Sequence, residues 1–357
     1  MSTPMATPSL SERLDVAHLG LRTARRLRRR RYAVVTSALT AAVLALTFAA
    51  LTAGPGDFTV AEVLQAIFSA DPGRADFTVN EVRLPRFLLG VLVGIAFALA
   101  GALFQSVLRN PLASPDIVGV SQGASAGAVA ALLGAGVTGV PVSLAALGGG
   151  LAVGVVLYAV AWRGGLTGHR FVLAGIGVAY VCAAVVGYLL TRSDVDQAQT
   201  ALQWLAGSLS QNTWPLVSVL AVALLMLVPL VALVARPLQT LTLGDDQAAG
   251  LGARPELSRF AVIALGVALA SVATAAAGPV AFVAFVSAPV ARRMLGDGRL
   301  ALLPAALVGV VMVVGADLVA QFLLPADLRV PTGVVTGVVG GPYLIWLLAT
   351  GRRRAES

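Results

Sequence analysis

The stretch "RNPLASPDIVG" (Arg109–Gly119) is flanked by two long apolar runs, "FLLGVLVGIAFALAGALFQSV" before it and "VSQGASAGAVAALLG" after it. An arginine, an asparagine, two prolines and an aspartate packed into eleven residues mark a polar turn between two helices, since proline stops the first. Continuously apolar flanks identify those helices as membrane spans rather than barrel strands, whose residues would alternate.

Working outward, the same pattern repeats. The 357-residue chain is 58% hydrophobic and 12% charged, with mean hydropathy +0.88. A hydrocarbon core of about 30 Å needs about 20 apolar residues per helix. Ten stretches qualify: 33–53, 87–107, 117–134, 142–162, 171–191, 215–235, 260–277, 280–295, 302–323 and 333–350. The eighth is short and interrupted by Pro289. The expected fold is therefore all-α and polytopic, with residues 1–32 and 352–357 as tails around a membrane domain at 33–351.

Arginine gives the orientation. An even span count puts both termini on one side, and placing them inside assigns 20 arginines to inner segments and five, Arg74, Arg83, Arg86, Arg192 and Arg329, to outer ones. Cytoplasmic loops carry the basic excess, so both tails are expected in the cytoplasm of a multi-pass cell-membrane protein. The run "RTARRLRRRR" (Arg22–Arg31) reads as a topology signal beside anionic lipid rather than a nucleic-acid arm.

Composition excludes several chemistries. The chain has no lysine, so it lacks the lysine that a phosphate-binding P-loop places on the nucleotide; any ATP and Mg²⁺ belong to another subunit. One cysteine, Cys182, and two separated histidines, His18 and His169, make no metal-binding cluster. No catalytic residue and no cofactor held by this chain is expected.

Charged groups inside the spans are almost absent. Asp317, near the outer end of the ninth span, is the exception: it reads as a hydrogen-bonded residue ordering that helix end, while a proton-coupled transporter would have to rest on it alone. Two glycine ladders, Gly119, Gly123, Gly127 and Gly333, Gly337, Gly341, each place their members on one helix face, where backbones can approach closely. They fit intramolecular packing or a moving interface along a substrate path.

Three further interruptions are specific. "EVRLPRF" (Glu81–Phe87) sets Arg83 and Arg86 at the outer mouth of the second span, with Pro85 suited to a helix start; they suit acidic groups of a docking partner or lipid headgroups. "LGDDQAAGLGARPELSR" (Leu243–Arg259) predicts a short cytoplasmic helix with Asp245 and Asp246 at its start and Gly250 and Gly252 closing it, a handle for a soluble motor. "AGPVAFVAFVSAPVARRMLG" (Ala277–Gly296) turns outside at Gly278–Pro279 and returns to Arg292 and Arg293.

In this order the pieces resemble the permease subunits of ATP-driven importers for iron siderophores and cobalamin. The resemblance runs from about Arg83 to Leu348 and is carried by "RLPR", "GALFQSVLRNPLASPDIVGVSQGASAG", "LGDDQAAGLG", "AGPVAFVAFVSAPVARR" and "ADLVAQFLLPADLRVPTGVVTGVVGGPYLIWLL". Finer details, including "SPDIVG", "YAVAWRGG" (Tyr158–Gly165), "GIGV" (Gly175–Val178), "ADLVAQ" and "GGPYLI", resemble one half of the ferric enterobactin permease pair.

The resemblance implies a type II importer fold, a second, nonidentical permease chain, two ATP-binding subunits and an extracytoplasmic siderophore-binding protein. It implies docking of that protein on Arg83 and Arg86, with Arg329 standing in for a family arginine whose position here holds Gln321. It implies coupling to the ATPase through Gly244, Asp245, Asp246, Gly250, Leu251 and Gly252, within the segment 243–256. Pro289–Val290 departs from a Pro-His pair found in many relatives. "LQWLAGSLSQNTW" (Leu202–Trp214) is a candidate outer vestibule; cobalamin or haem is the alternative cargo.

Overall fold

The computed structural model describes residues 10–54, 56, 58–69, 73–161, 168–241, 244–296, 300–325 and 330–352. Thirteen α-helices lie among them: α1 Leu10–Thr52, α2 Val60–Phe68, α3 Leu84–Val107, α4 Val120–Val129, α5 Val140–Ala161, α6 Gly168–Arg192, α7 Val195–Leu205, α8 Trp214–Leu241, α9 Asp245–Gly250, α10 Pro255–Ala277, α11 Val283–Leu295, α12 Leu302–Leu318 and α13 Thr332–Arg352. Each of the ten apolar stretches contains a helix, the third from Val120 and the eighth from Val283. Seven helical segments are long and apolar enough to cross a bilayer unaided. α4 with its π-helical extension to Gly134, α11 and the apolar part of α13 are shorter.

α3 and α10 form the centre. Their apolar windows are 72% and 67% buried, against 11% for α1 and α6, which leave most of their side chains for lipid. α3 lies among α8, α10, α11 and α12, burying Leu89, Val93, Phe97, Leu103 and Phe104 completely. It starts as its sequence predicts, with Pro85 in the first turn, where a missing N–H costs nothing. It ends at Val107, and Arg109 at φ +49° turns the chain away before Pro111.

The third span departs from the expected start at 117. Residues 115–119 form a turn in which Val120 N–H donates to Pro115 O at 2.9 Å, and Gly119 at φ +89° precedes the helix. Two helices outside the expected set, α2 and α7, lie between spans. α2 opens on a reciprocal cap: Glu62 N–H donates to Thr59 Oγ1, and Thr59 N–H donates back to Glu62 Oε2 at 2.8 Å.

Long-range contacts fix which loops share an end of the bundle. At one end Arg31 Nε donates to Met294 O at 2.9 Å, and Arg109 reaches Leu241 O. At the other, Arg83 Nη1 donates to Leu51 O at 2.8 Å and Trp214 Nε1 to Asn80 O at 2.8 Å. These groupings agree with the alternation of ends expected from ten spans.

Candidate functional site

At the Arg109 end, the turn that opened the sequence reading and the expected coupling segment meet. α9 occupies Asp245–Gly250, bracketed by Gly244 at φ +117° and Gly252 at φ +81°, left-handed conformations that suit glycine. Arg259, on α10, donates through Nη2 to both Asp245 carboxylate oxygens at 2.7 and 2.8 Å. Arg109 Nη2 stands 3.6 Å from Asp245 Oδ1, the oxygen that Arg259 also reaches, while its guanidinium donates to Leu241 O. One carboxylate thus ties the short helix to the end of α3 and the start of α10.

The surface of α9 is open. Asp246 and Gly250 are exposed, a Cβ at Gly250 would meet nothing within 4 Å, and Leu251 is 66% exposed. An exposed leucine just beyond a short, anchored helix is a projecting apolar knob. Leu243, the first residue of the expected segment, lies outside the described residues, as do the side chain of His169 and all of Arg163.

The adjoining turn is also tied internally. Asn110 Oδ1 accepts from Leu112 N–H at 2.9 Å, and Ser121 Oγ donates to Asp116 Oδ1 at 2.5 Å. Burial pushes the Asp116 carboxyl up, opposed by the Ser121 hydrogen bond.

At the opposite end Arg83 and Arg86 are drawn into the chain rather than projecting from it. Arg86 donates to Asp317 through Nε and Nη2 at 2.8 and 2.9 Å, a two-pronged ion pair between α3 and α12. Asp317 also accepts from Gln321 Nε2 at 2.6 Å and Thr332 Oγ1 at 2.8 Å, and is 5% exposed. Arg83 is 9% exposed, lies 5.4 Å from the Phe58 ring centroid and bonds to Leu51 O. A charged group among apolar helices needs compensation, and the guanidinium groups of Arg83 and Arg86, the expected docking residues, have partners within the chain. Arg329 lies outside the described residues.

Asp317 has the hydrogen-bonded, helix-ordering place expected of it. Its partners were beyond sequence reasoning, Gln321 excepted, which sits one helical turn on. A cavity of about 520 Å³ opens beside this network, and Gln203, Trp204, Ser208, Ser210 and Gln211 from the suspected vestibule line it, with Arg86 and Gln321.

The two glycine ladders differ. A Cβ at Gly127 would overlap the Ala145 carbonyl oxygen, one at Gly123 would stand 2.7 Å from Gly149 O, and one at Gly119 would stand 3.0 Å from Gly175 O. The first ladder is thus packed against α5 and α6. In the second, Gly333 is packed against Ala206, whereas Gly337 and Gly341 face open space. Around them Val334, Val338 and Ile345 are 41%, 69% and 70% exposed, so α13 carries a smooth apolar stripe unpartnered by the described residues.

The comparisons agree with this architecture. The profile of the FecCD transport family matches residues 40–350. The ferric enterobactin transport system permease protein FepG of Escherichia coli (strain K12) is 36% identical over 304 residues, covering 85% of this chain and 92% of that one. The achromobactin transport system permease protein CbrC of Dickeya dadantii (strain 3937) is 36% identical over 322 residues, covering 87% and 89%. A solved structure described as an inward-facing conformation of a metal-chelate type ABC transporter superposes with TM-score 0.78 at 24% identity, covering 88% of this chain and 99% of that one. That similarity establishes the shared fold.

Proposed function

The chain belongs to the FecCD transport family, and from that premise we propose that it is the membrane-spanning subunit of an ATP-driven importer that passes an iron(III)–siderophore complex, of catecholate type, across the cytoplasmic membrane. The permease itself is non-catalytic, and ATP and Mg²⁺ are held by two separate ATP-binding subunits. Relatives named for ferric enterobactin and achromobactin transport support the siderophore class.

The observation that carries the mechanism is the anchoring of α9. The Arg109 end is the cytoplasmic face by its arginine excess, and α9 with exposed Leu251 is the handle an ATPase subunit grips. Asp245 links it to Arg109 and Arg259, so a displacement of α9 reaches α3 and α10, the two most buried spans. Moving the central helices from one end is what opening and closing a pathway requires.

The Arg86 end faces the binding protein. Here Arg83 and Arg86 shape the docking surface from beneath it, because their charges are spent on Leu51, Asp317 and the Phe58 ring. The cavity beside Trp204 and Ser208 is the outer vestibule. A second, nonidentical permease chain packs on the α13 stripe of Gly337 and Gly341, where small residues allow close helix approach.

Replacement of Gly244–Gly252 by a flexible linker tests the coupling. The permease should still insert and fold, and should no longer copurify with its ATPase subunit. Undiminished copurification together with ATP-driven uptake would remove α9 from the mechanism.

A further inference from the structure

Two of the sequence motifs, the end of α3 and the returning span α11, meet at a proline. Pro289 lies inside α11, where every residue from Val283 to Pro289 is buried. Proline has no N–H, and its ring presses on the carbonyl four residues back, so Phe285 O loses its helical donor and α11 is weakened at that turn. Phe285 is 4% exposed, so its carbonyl needs a donor from within the chain. Gln105 of α3 supplies it.

Gln105 is 2% exposed; its Nε2 donates to Phe285 O at 2.9 Å, and its Oε1 accepts from Arg292 Nη2 at 2.8 Å. A carbonyl requires the amide N–H and a guanidinium requires the amide oxygen, so the side chain fits one way round. The amide therefore bridges the proline, holding α11 about one turn before it and one turn after it. Near this bridge the two backbones touch, since a Cβ at Gly101 would overlap the Ala284 carbonyl oxygen. One turn further along the chain from Gln105 is Arg109, which stands beside Asp245 of α9. α11 also meets α13 on both sides of Pro289: a Cβ at Gly340 would overlap the Phe282 side chain, and the Arg293 guanidinium lies 4.1 Å from the Trp346 ring centroid.

We propose that Gln105 is a positioning residue of the transport cycle, carrying a displacement of α9 into the Pro289 turn of α11 and so tilting α13. This rests on the reading of the chain as an importer subunit coupled through α9. An uninterrupted helix resists bending because each turn is closed by its own backbone bonds. Where one of those bonds is replaced by a side chain of α3, the bend of α11 follows the position of α3. Phe282, at φ +64°, gives α11 a second joint at its start. Because α13 carries the Gly337 and Gly341 stripe assigned above to the second permease, the path from α9 ends at the face between the two chains.

Two substitutions separate packing from relay. Q105L leaves Phe285 O without a donor and should lower the melting temperature of the full-length chain in detergent by about 4 °C. P289A restores the N–H that bonds Phe285 O within α11, so Q105L/P289A should recover most of that loss. In proteoliposomes with the ATPase subunit, the second permease and the binding protein, Q105L/P289A should hydrolyse ATP at the unmutated rate yet import about fivefold less radiolabelled ferric enterobactin per ATP. P289A alone, which closes the turn but keeps the Arg292 bond, should lose about threefold. Unchanged import per ATP in both variants would reduce Gln105 to a filler of the proline turn and overturn the proposal, as would a loss in Q105L that P289A does not restore. If Q105L does not fold, recovery of folded chain in Q105L/P289A is the same rescue, and its absence the same refutation. An unmutated assembly that imports nothing with ATP would overturn the importer reading and the relay with it; the thermal rescue, which needs no cargo, tells that failure from an absent Gln105–Phe285 bond.

Discussion

Arg86 and Asp317 are 231 positions apart in the chain and meet through two hydrogen bonds of 2.8 and 2.9 Å, joining the start of α3 to the end of α12. The pair is sheltered, with the Asp317 side chain 7% and the Arg86 side chain 23% exposed. Gln321 and Thr332 occupy further lone pairs of the same carboxylate, so the network also reaches α13.

Breaking this pair from one side leaves a buried charge without a counter-ion. Arg86→Ala and Asp317→Ala should each destabilise the folded chain by about 3 kcal/mol. The double variant should be less damaging than the sum of the two. Thermal unfolding in detergent read as a double-mutant cycle checks this; strict additivity would mean that the two groups do not interact in solution.

Asp245→Ala removes the one carboxylate shared by Arg259 and Arg109 while leaving the spans intact. Asp245 is about half exposed, so global stability should change by less than about 1 kcal/mol. ATP hydrolysis in the assembled transporter should persist while transport per ATP falls several-fold. Loss of both together would mean that Asp245 serves assembly rather than coupling.

The glycine ladders give opposite expectations. Gly127→Val forces a side chain into the α5 backbone at Ala145 and should abolish folding or expression. A Cβ at Gly337 meets nothing within 4 Å among the described residues, so Gly337→Val should fold normally, yet weaken pairing with the proposed second permease subunit. Size-exclusion chromatography with and without the partner separates the two effects; misfolding of Gly337→Val would place that face inside the chain.

The pH dependence of the α2 cap follows from Glu62. Hydrogen bonds from the Arg74 side chain, the Thr59 backbone and the Thr59 hydroxyl lower its carboxyl from 4.5 to about 2. A carboxylate held down in the folded state stabilises the cap above its ordinary value, and that contribution fades as the pH falls through about 2. Hydrogen-exchange protection of the first turn of α2, corrected for intrinsic rates, should hold between pH 7 and 5, and Glu62→Ala, which removes the side-chain acceptor, should lose it throughout. Protection unchanged in Glu62→Ala would leave the capping box without effect.

The ten apolar stretches were legible because a bilayer demands about 20 apolar residues per crossing, a demand visible in composition alone. α9 was legible too, because "GDDQAAGLG" places acids at a helix start and glycines after its end. α2 was missed although Thr59 and Glu62 carry the spacing of a capping box, since nine residues between two spans read as loop. What sequence could not show were the partners. Arg86, judged by position, looked like an outward cation; only the fold brings Asp317 beside it. Arg109 looked like a turn residue obeying the charge rule, and the fold makes it a tether of α9 as well.

The most direct test is reconstitution in proteoliposomes with the ATPase subunit, the second permease and the binding protein, measuring entry of a radiolabelled iron(III)–catecholate siderophore. Uptake should require ATP and every subunit, and should be indifferent to an imposed proton gradient. Uptake by this chain alone, driven by a proton gradient and abolished in Asp317→Asn, would contradict the account.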